Sequence, residues 1–144
     1  MNWTSRKDWM AVLAKASPAR LAALMPDLPD HSLLRSPEVG AVMVQGRAGG
    51  TGAPFNLGEM TVTRCSVQLA EGPVGHAWVQ GRDARHALRA AIVDALMQTP
   101  QAAALGQSVL EVLQREAQAK RLARAEKAAA TKVDFFTLMR GEDA

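Results

Sequence analysis

The stretch Val42-Met43-Val44-Gln45-Gly46-Arg47-Ala48-Gly49-Gly50-Thr51-Gly52-Ala53-Pro54-Phe55-Asn56-Leu57-Gly58-Glu59-Met60-Thr61-Val62-Thr63-Arg64-Cys65 decides how this chain folds. Its far end alternates, with Met60, Val62, Arg64 and Ser66 set against Thr61, Thr63, Cys65, Val67 and Leu69. Period two means a strand. The β-branched run at Val42 to Val44 is a second strand, and a glycine-rich loop joins them. That loop exceeds the two to five residues or so of an ordinary hairpin connection. It is not a Walker loop or a dinucleotide fingerprint, because both of those open a helix. Two readings of it stand. Glycines can turn backbone N–H groups toward an anion or a neighbouring chain, with Arg47 supplying a planar donor fork. Alternatively, the glycines only shape a hairpin tip.

Working outward, the spacing predicts three strands, roughly Val39 to Gln45, Leu57 to Leu69 and Val74 to Gln80. The short turn Glu71-Gly72-Pro73 makes the last two an antiparallel hairpin. Sequential strands usually pair, so the first joins them in a small antiparallel meander that needs helices on one face. Upstream, Ser5 to Ala16 reads as a helix with Trp9, Val12, Leu13 and Ala16 on one side. Ser17-Pro18 caps a second short helix that carries Leu21, Leu24 and Met25. Pro26 to Pro37 reads as a loop, with Leu33 and Leu34 touching the core.

Downstream, Asp83 caps a helix reaching about Gln98, where Leu88, Ala91, Ile92, Ala95 and Leu96 form an amphipathic face. Thr99-Pro100 starts a long helix to about Ala130, apolar through Leu113 and alanine-rich with mixed charges beyond Glu116. The series Lys120, Arg121, Arg124 and Lys127, interrupted by Glu126, reads as a solvated helix face. The final segment, 131–144, holds Phe135, Phe136, Leu138, Met139 and Arg140 and reads as an apolar docking tail. The fold class is α+β, a single domain over 1–144. Its parts are N-terminal helices and loop (1–37), sheet (38–82), helices (83–130) and tail (131–144).

Composition narrows the function. With 48% hydrophobic and 22% charged residues the chain is ordinary for a soluble protein. Aromatic residues are only 4%, so Ala, Leu, Val and Met must build the core. The net charge of +3 suits anionic ligands or acidic partner surfaces. A small basic nucleic-acid binder is a remaining class, but neither an aromatic platform nor a recognition helix is evident. A lone Cys65 allows no intrachain disulfide. No run approaches the roughly 18–20 apolar residues of a membrane span, so the expected location is cytoplasmic.

Candidate chemistry is sparse. His31, His76 and His86 are scattered without metal-ligand spacing, so no metal is expected. Cys65 in a strand reads as a small buried hydrophobe. Glu59 and His76 make an acid–base pair only if the hairpin brings them together. Arg47 follows the first strand, Arg64 sits inside the second and Arg82 follows the third, and they form one anion-facing patch if the meander gathers them. The candidate anion- or partner-binding loop is therefore Arg47, Gly49, Gly50, Thr51, Gly52, Asn56 and Glu59, with Arg64 and Arg82.

The sequence resembles the PhnG subunit family of the bacterial carbon–phosphorus lyase system. The likeness is carried by Arg35-Ser36-Pro37-Glu38-Val39-Gly40, Val42 to Arg47, Gly49-Gly50-Thr51-Gly52, Pro54 to Glu59 and Thr61 to Cys65. It continues through Gly81-Arg82-Asp83, Ala90-Ala91, Asp94-Ala95-Leu96, Val133 to Thr137 and Arg140 to Asp143. The resemblance implies a subunit of a transferase that makes ribose 1-methylphosphonate 5-triphosphate from ATP and methylphosphonate, releasing adenine. It also implies PhnI-, PhnH-, PhnJ- and PhnL-like partners, of which the PhnI-like chain is the expected direct contact. No cofactor is expected on this chain alone, ATP and the alkylphosphonate being substrates of the complex. No residue here transfers as a known catalyst. A pure assembly subunit is the competing role.

Overall fold

The computed structural model describes the backbone of residues 3–142 and the side chains of residues 3–132. The alternating stretch does form the central strand. β1 (His31–Arg47), β2 (Pro54–Leu69) and β3 (Val74–Gln80) make one antiparallel sheet in the order β1-β2-β3. Odd-numbered residues of β2 and β3 (Cys65, Val67, Leu69, Gly75, Ala77 and Val79) face the core. Even-numbered ones, including Arg64, Ser66, His76 and Trp78, face the other way.

β1 begins well before the residue its composition suggests. Residues His31 to Pro37, expected as loop, pair with the end of β2, from His31 opposite Leu69 to Arg35 opposite Ser66. Pro37 is tolerated because it falls at a register shift between Arg35 and Glu38 on an edge strand, where no ladder hydrogen bond is forfeited. The pairing also overturns the expected burial of two leucines. Leu33 and Leu34 are 48% and 55% exposed.

β1 and β2 both outrun β3. Gln80 lies opposite Val62, and the last bond joins the Gly81 N–H to the Thr61 carbonyl. Beyond it, Val42–Arg47 and Pro54–Met60 continue as a two-stranded ribbon whose outer strand edge is open. Gln45 pairs with Asn56 and Val44 with Gly58, so Leu57 is an extra residue that bulges the ribbon.

The helical layer follows the apolar spacing. α1 (Arg6–Lys15) buries Trp9 and Leu13, and α2 (Pro18–Leu24) buries Leu21. α3 (Ala84–Leu96) lies against the sheet, with Ala87, Ala91, Ile92 and Ala95 inaccessible. Asp83 caps it through a 3.0 Å bond from the His86 N–H. Gly75 permits the contact between α3 and β3. A Cβ there would sit 1.9 Å from the Ala91 carbonyl oxygen.

After Thr99-Pro100 come α4 (Ala102–Leu105), a π-helical turn at Gly106–Leu110 and α5 (Glu111–Glu142). Gly106 in the π turn lies beneath Trp3, where a Cβ would approach the indole Cδ1 to 2.8 Å. Two compact units result, Met1–Leu113 and Gln114–Ala144. The first contains the sheet and the core. In the second, α5 does not stop near Ala130, because no glycine or proline interrupts the chain before Gly141. The tail is therefore helical in backbone. The side chains of Phe135, Phe136, Leu138, Met139 and Arg140 lie outside the described residues. Lys120, Arg121, Arg124 and Lys127 are exposed. Among the described residues, no helix is long and apolar enough to cross a membrane.

Candidate functional site

The loop at the ribbon tip is a tight, self-bonded turn. Ala48–Gly50 forms one 3₁₀ turn, and the Gly52 N–H donates to the Ala48 carbonyl at 2.9 Å. Gly49 and Gly50 hold φ of 62° and 82°, which a side chain would strain. The Arg47 guanidinium donates across the turn to the Gly52 carbonyl at 3.2 Å. An open hollow of about 470 Å³ lies beside it, bounded by Gln45, Gly46, Arg47, Gly50 and Pro54. Thr51, Asn56 and Glu59 are exposed on the same ribbon.

Arg64 is elsewhere. It stands ten residues along β2 from Pro54, the partner of Arg47, a separation of about 34 Å at strand spacing. Arg82 follows β3 next to Gly81, which is bonded to Thr61. The three arginines are not gathered at one point, because the ribbon carries Arg47 far past the end of β3.

Arg64 instead belongs to a polar cluster on the open face of the sheet. Glu38 accepts from Arg35 at 3.0 Å and from Arg64 Nε at 3.2 Å. The two guanidiniums hold the Glu38 carboxyl below the usual carboxylate range, the hydrogen bond from Arg35 contributing most. Arg64 also lies over the Trp78 ring, 5.6 Å from its centroid. Trp78 is half exposed. Next to this group, Ser66 Oγ and His76 Nδ1 are 2.7 Å apart.

The covered side holds a second cluster, built around a buried carboxylate. Asp94 on α3 is fully buried and accepts four bonds. Arg6 donates from Nε at 3.0 Å and from a terminal nitrogen at 2.6 Å. The Trp9 indole donates at 2.8 Å, and the His76 backbone N–H at 2.8 Å. One side chain therefore ties α1 and β3 to α3. The hydrogen bond to Asp94 raises the Arg6 pKa above its ordinary value.

With this geometry in view, comparison with known proteins is decisive. A family model described as "Phosphonate metabolism protein PhnG" matches residues 4–141. The chain belongs to the PhnG family. It is also similar to the "Alpha-D-ribose 1-methylphosphonate 5-triphosphate synthase subunit PhnG" of Rhizobium meliloti (strain 1021). The two are 43% identical over 141 residues, covering 96% of this chain and 90% of that relative.

Within this PhnG-family fold, the remaining candidates for chemistry separate. Glu59 pairs with Met43 on the ribbon, whereas His76 sits opposite Ser66. Seven residues of strand, about 24 Å, keep Glu59 and His76 from acting as an acid–base pair. Cys65 is 1% exposed, and burial pushes its thiol pKa up. A neutral, enclosed thiol is a poor nucleophile. Cys65 is therefore expected to resist alkylation in the folded protein and to react fully once the chain is unfolded in denaturant. Labelling of the folded protein as fast as that of free cysteine would refute the burial.

Sequence reasoning missed the carboxylate at Asp94 and the Ser66–His76 pair. A signal for the first existed, since Asp94 interrupts the apolar run Ala91, Ile92, Ala95 and Leu96 on one helix face. For the second there was none, because strand register sets it.

Proposed function

We propose that this chain is a subunit of the multi-protein synthase that forms alpha-D-ribose 1-methylphosphonate 5-triphosphate from ATP and methylphosphonate, releasing adenine, in phosphonate catabolism. Its partners are PhnI-, PhnH-, PhnJ- and PhnL-like proteins, the PhnI-like chain in direct contact. One observation carries the reading: 43% identity along nearly the whole chain to a relative bearing that subunit name. The site geometry adds a role. In this reading the chain supports catalysis by the assembled complex through its exposed ribbon and loop. The test is reconstitution. Co-expressed subunits should release adenine, and omission of this chain should abolish release. Undiminished turnover without it would refute the assignment.

A narrower assembly role draws on the ribbon, where Met43, Phe55 and Leu57 are each about half exposed or more. Arg47 at its tip separates the two roles. The Arg47→Ala chain should melt within about 1 °C of wild type, because the side chain is exposed and makes one bond to the turn. Loss of a charge-assisted contact to substrate or partner removes about 1.5–3 kcal/mol, so adenine release should fall roughly ten- to a hundredfold. Rescue by excess subunit marks a partner contact; a persistent defect in the assembled complex marks a ligand contact. Wild-type turnover would make the tip a plain turn.

A further inference from the structure

We infer that the cleft between α1 and the outer edge of β3 receives an extended, acidic segment of a partner subunit, which adds as a fourth strand beside Trp78. The inference rests on the reading that this chain works inside a multi-subunit assembly. Its evidence is the direction of the backbone groups of β3.

In an antiparallel pair, the N–H and C=O of alternate residues point to the same side. Gly81 bonds toward β2, whereas the His76 N–H points away from β2 and meets Asp94. Even-numbered residues of β3 therefore present both backbone groups on the outer edge. The near end of that edge is closed. Gln98 Nε2 donates to the Val74 carbonyl at 2.8 Å, and Asp94 accepts from His76. Past this point the outer edge is open. The His76 carbonyl, both backbone groups of Trp78 and those of Gln80 meet no hydrogen-bonding partner among the described residues. Such a row is a template for one more strand.

The open edge does not face bulk water on both sides. Lys7, Met10, Ala11 and Ala14, spaced as one stripe of α1, stand across from His76 to Val79 and enclose a cleft of about 290 Å³. Leu13 and Ala90 complete its lining. The small side chains of Ala11 and Ala14 leave space for one medium apolar side chain to enter beside the strand. Lys7 is exposed at this cleft, and no carboxylate lines it. The fitting occupant is thus an extended segment with an apolar residue next to an acidic one. A second copy of this chain fits poorly. Its own β3, Val74–Gln80, carries no acidic residue to meet Lys7.

Hydrogen exchange reads this directly, on the full chain alone and in the co-expressed complex. The Trp78 and Gln80 amides should exchange quickly in the isolated chain and slow by roughly a hundredfold or more on assembly. A photo-crosslinking residue in place of Ala11 should attach to another subunit. Ala11→Trp, at an exposed helix position, should keep the wild-type melting temperature yet co-purify at least about tenfold less partner. An assembled complex with a fast Trp78 amide overturns the inference, as do crosslinks only to a second copy. Wild-type recovery of partner by a folded Ala11→Trp overturns it too. If that variant misfolds, exchange and crosslinking decide on their own. Failure of the broader reading looks different: the wild-type chain would then purify with no other subunit at all, and the cleft assignment would fall with it.

Discussion

Replacing Asp94 with alanine is expected to unfold this protein near physiological temperature or lower its melting point by roughly 10 °C or more. The carboxylate is fully buried and accepts from Arg6, the Trp9 indole and the His76 backbone. Removing one partner of a buried ion pair costs about 3–5 kcal/mol, because the groups left behind stay desolvated. Arg6 contributes the smaller part of that loss. Its side chain is 42% exposed and can return to water. The Trp9 N–H, whose bond is buried, has no such escape, and an unsatisfied buried donor costs about 1–3 kcal/mol. For a chain of this size each kcal/mol moves the melting temperature by roughly 2–4 °C or somewhat more. Asp94→Asn should fall between, since one amide oxygen can keep one or two of the four bonds. Arg6→Ala should be milder than either. Thermal melts of the three variants check the order, and a melting temperature for Asp94→Ala within about 2 °C of wild type would sink the account.

The same residue shows where the sequence was legible and where it was not. Periodicity located α3 and β2 because each places apolar residues at its own repeat, and burial on one side is what those repeats encode. Capping chemistry placed the start of α3 at Asp83, since that bond is local. Asp94 works through Arg6, Trp9 and His76, which lie 18 to 88 residues away. No local repeat encodes such a partnership. β1 is longer than its residue pattern suggests for a related reason. An exposed edge strand needs no alternation, so Leu33, Leu34 and Pro37 look like loop until the partner strand is known. The candidate site divided the same way. The tip from Arg47 to Gly52 is contiguous in sequence and stayed together in space. The proposed gathering of Arg47, Arg64 and Arg82 required β3 to be as long as its neighbours. It ends opposite Val62, eight residues short of Pro54.

Gly75 carries the second large expected effect, and it joins the fold to the open edge of β3. An added Cβ at this position would lie 1.9 Å from the Ala91 carbonyl oxygen, 2.7 Å from the Ala95 nitrogen and 2.8 Å from the Ala95 Cβ. Two of these three atoms are helix backbone, so no rotamer change relieves the contact. α3 and β3 must move apart by more than 1 Å or so to restore van der Waals distance. Overpacking of a tight core typically costs about 1–3 kcal/mol, and a clash against two backbone atoms belongs at or above the upper end. The strain also reaches the Asp94 cluster, because Asp94 projects from the same helix onto the next residue, His76. Gly75→Ala should therefore lower the melting temperature by about 6–12 °C and speed exchange at the His76 amide, which loses its carboxylate acceptor as the helix retreats. Gly40 is the control. Nothing lies within 4 Å of a Cβ built there, so Gly40→Ala should leave both readings near wild type. If Gly75→Ala melts like Gly40→Ala, the close approach of α3 to β3 is not what fixes the edge strand. The course of β3 beside α1 would then have to come from α1 alone.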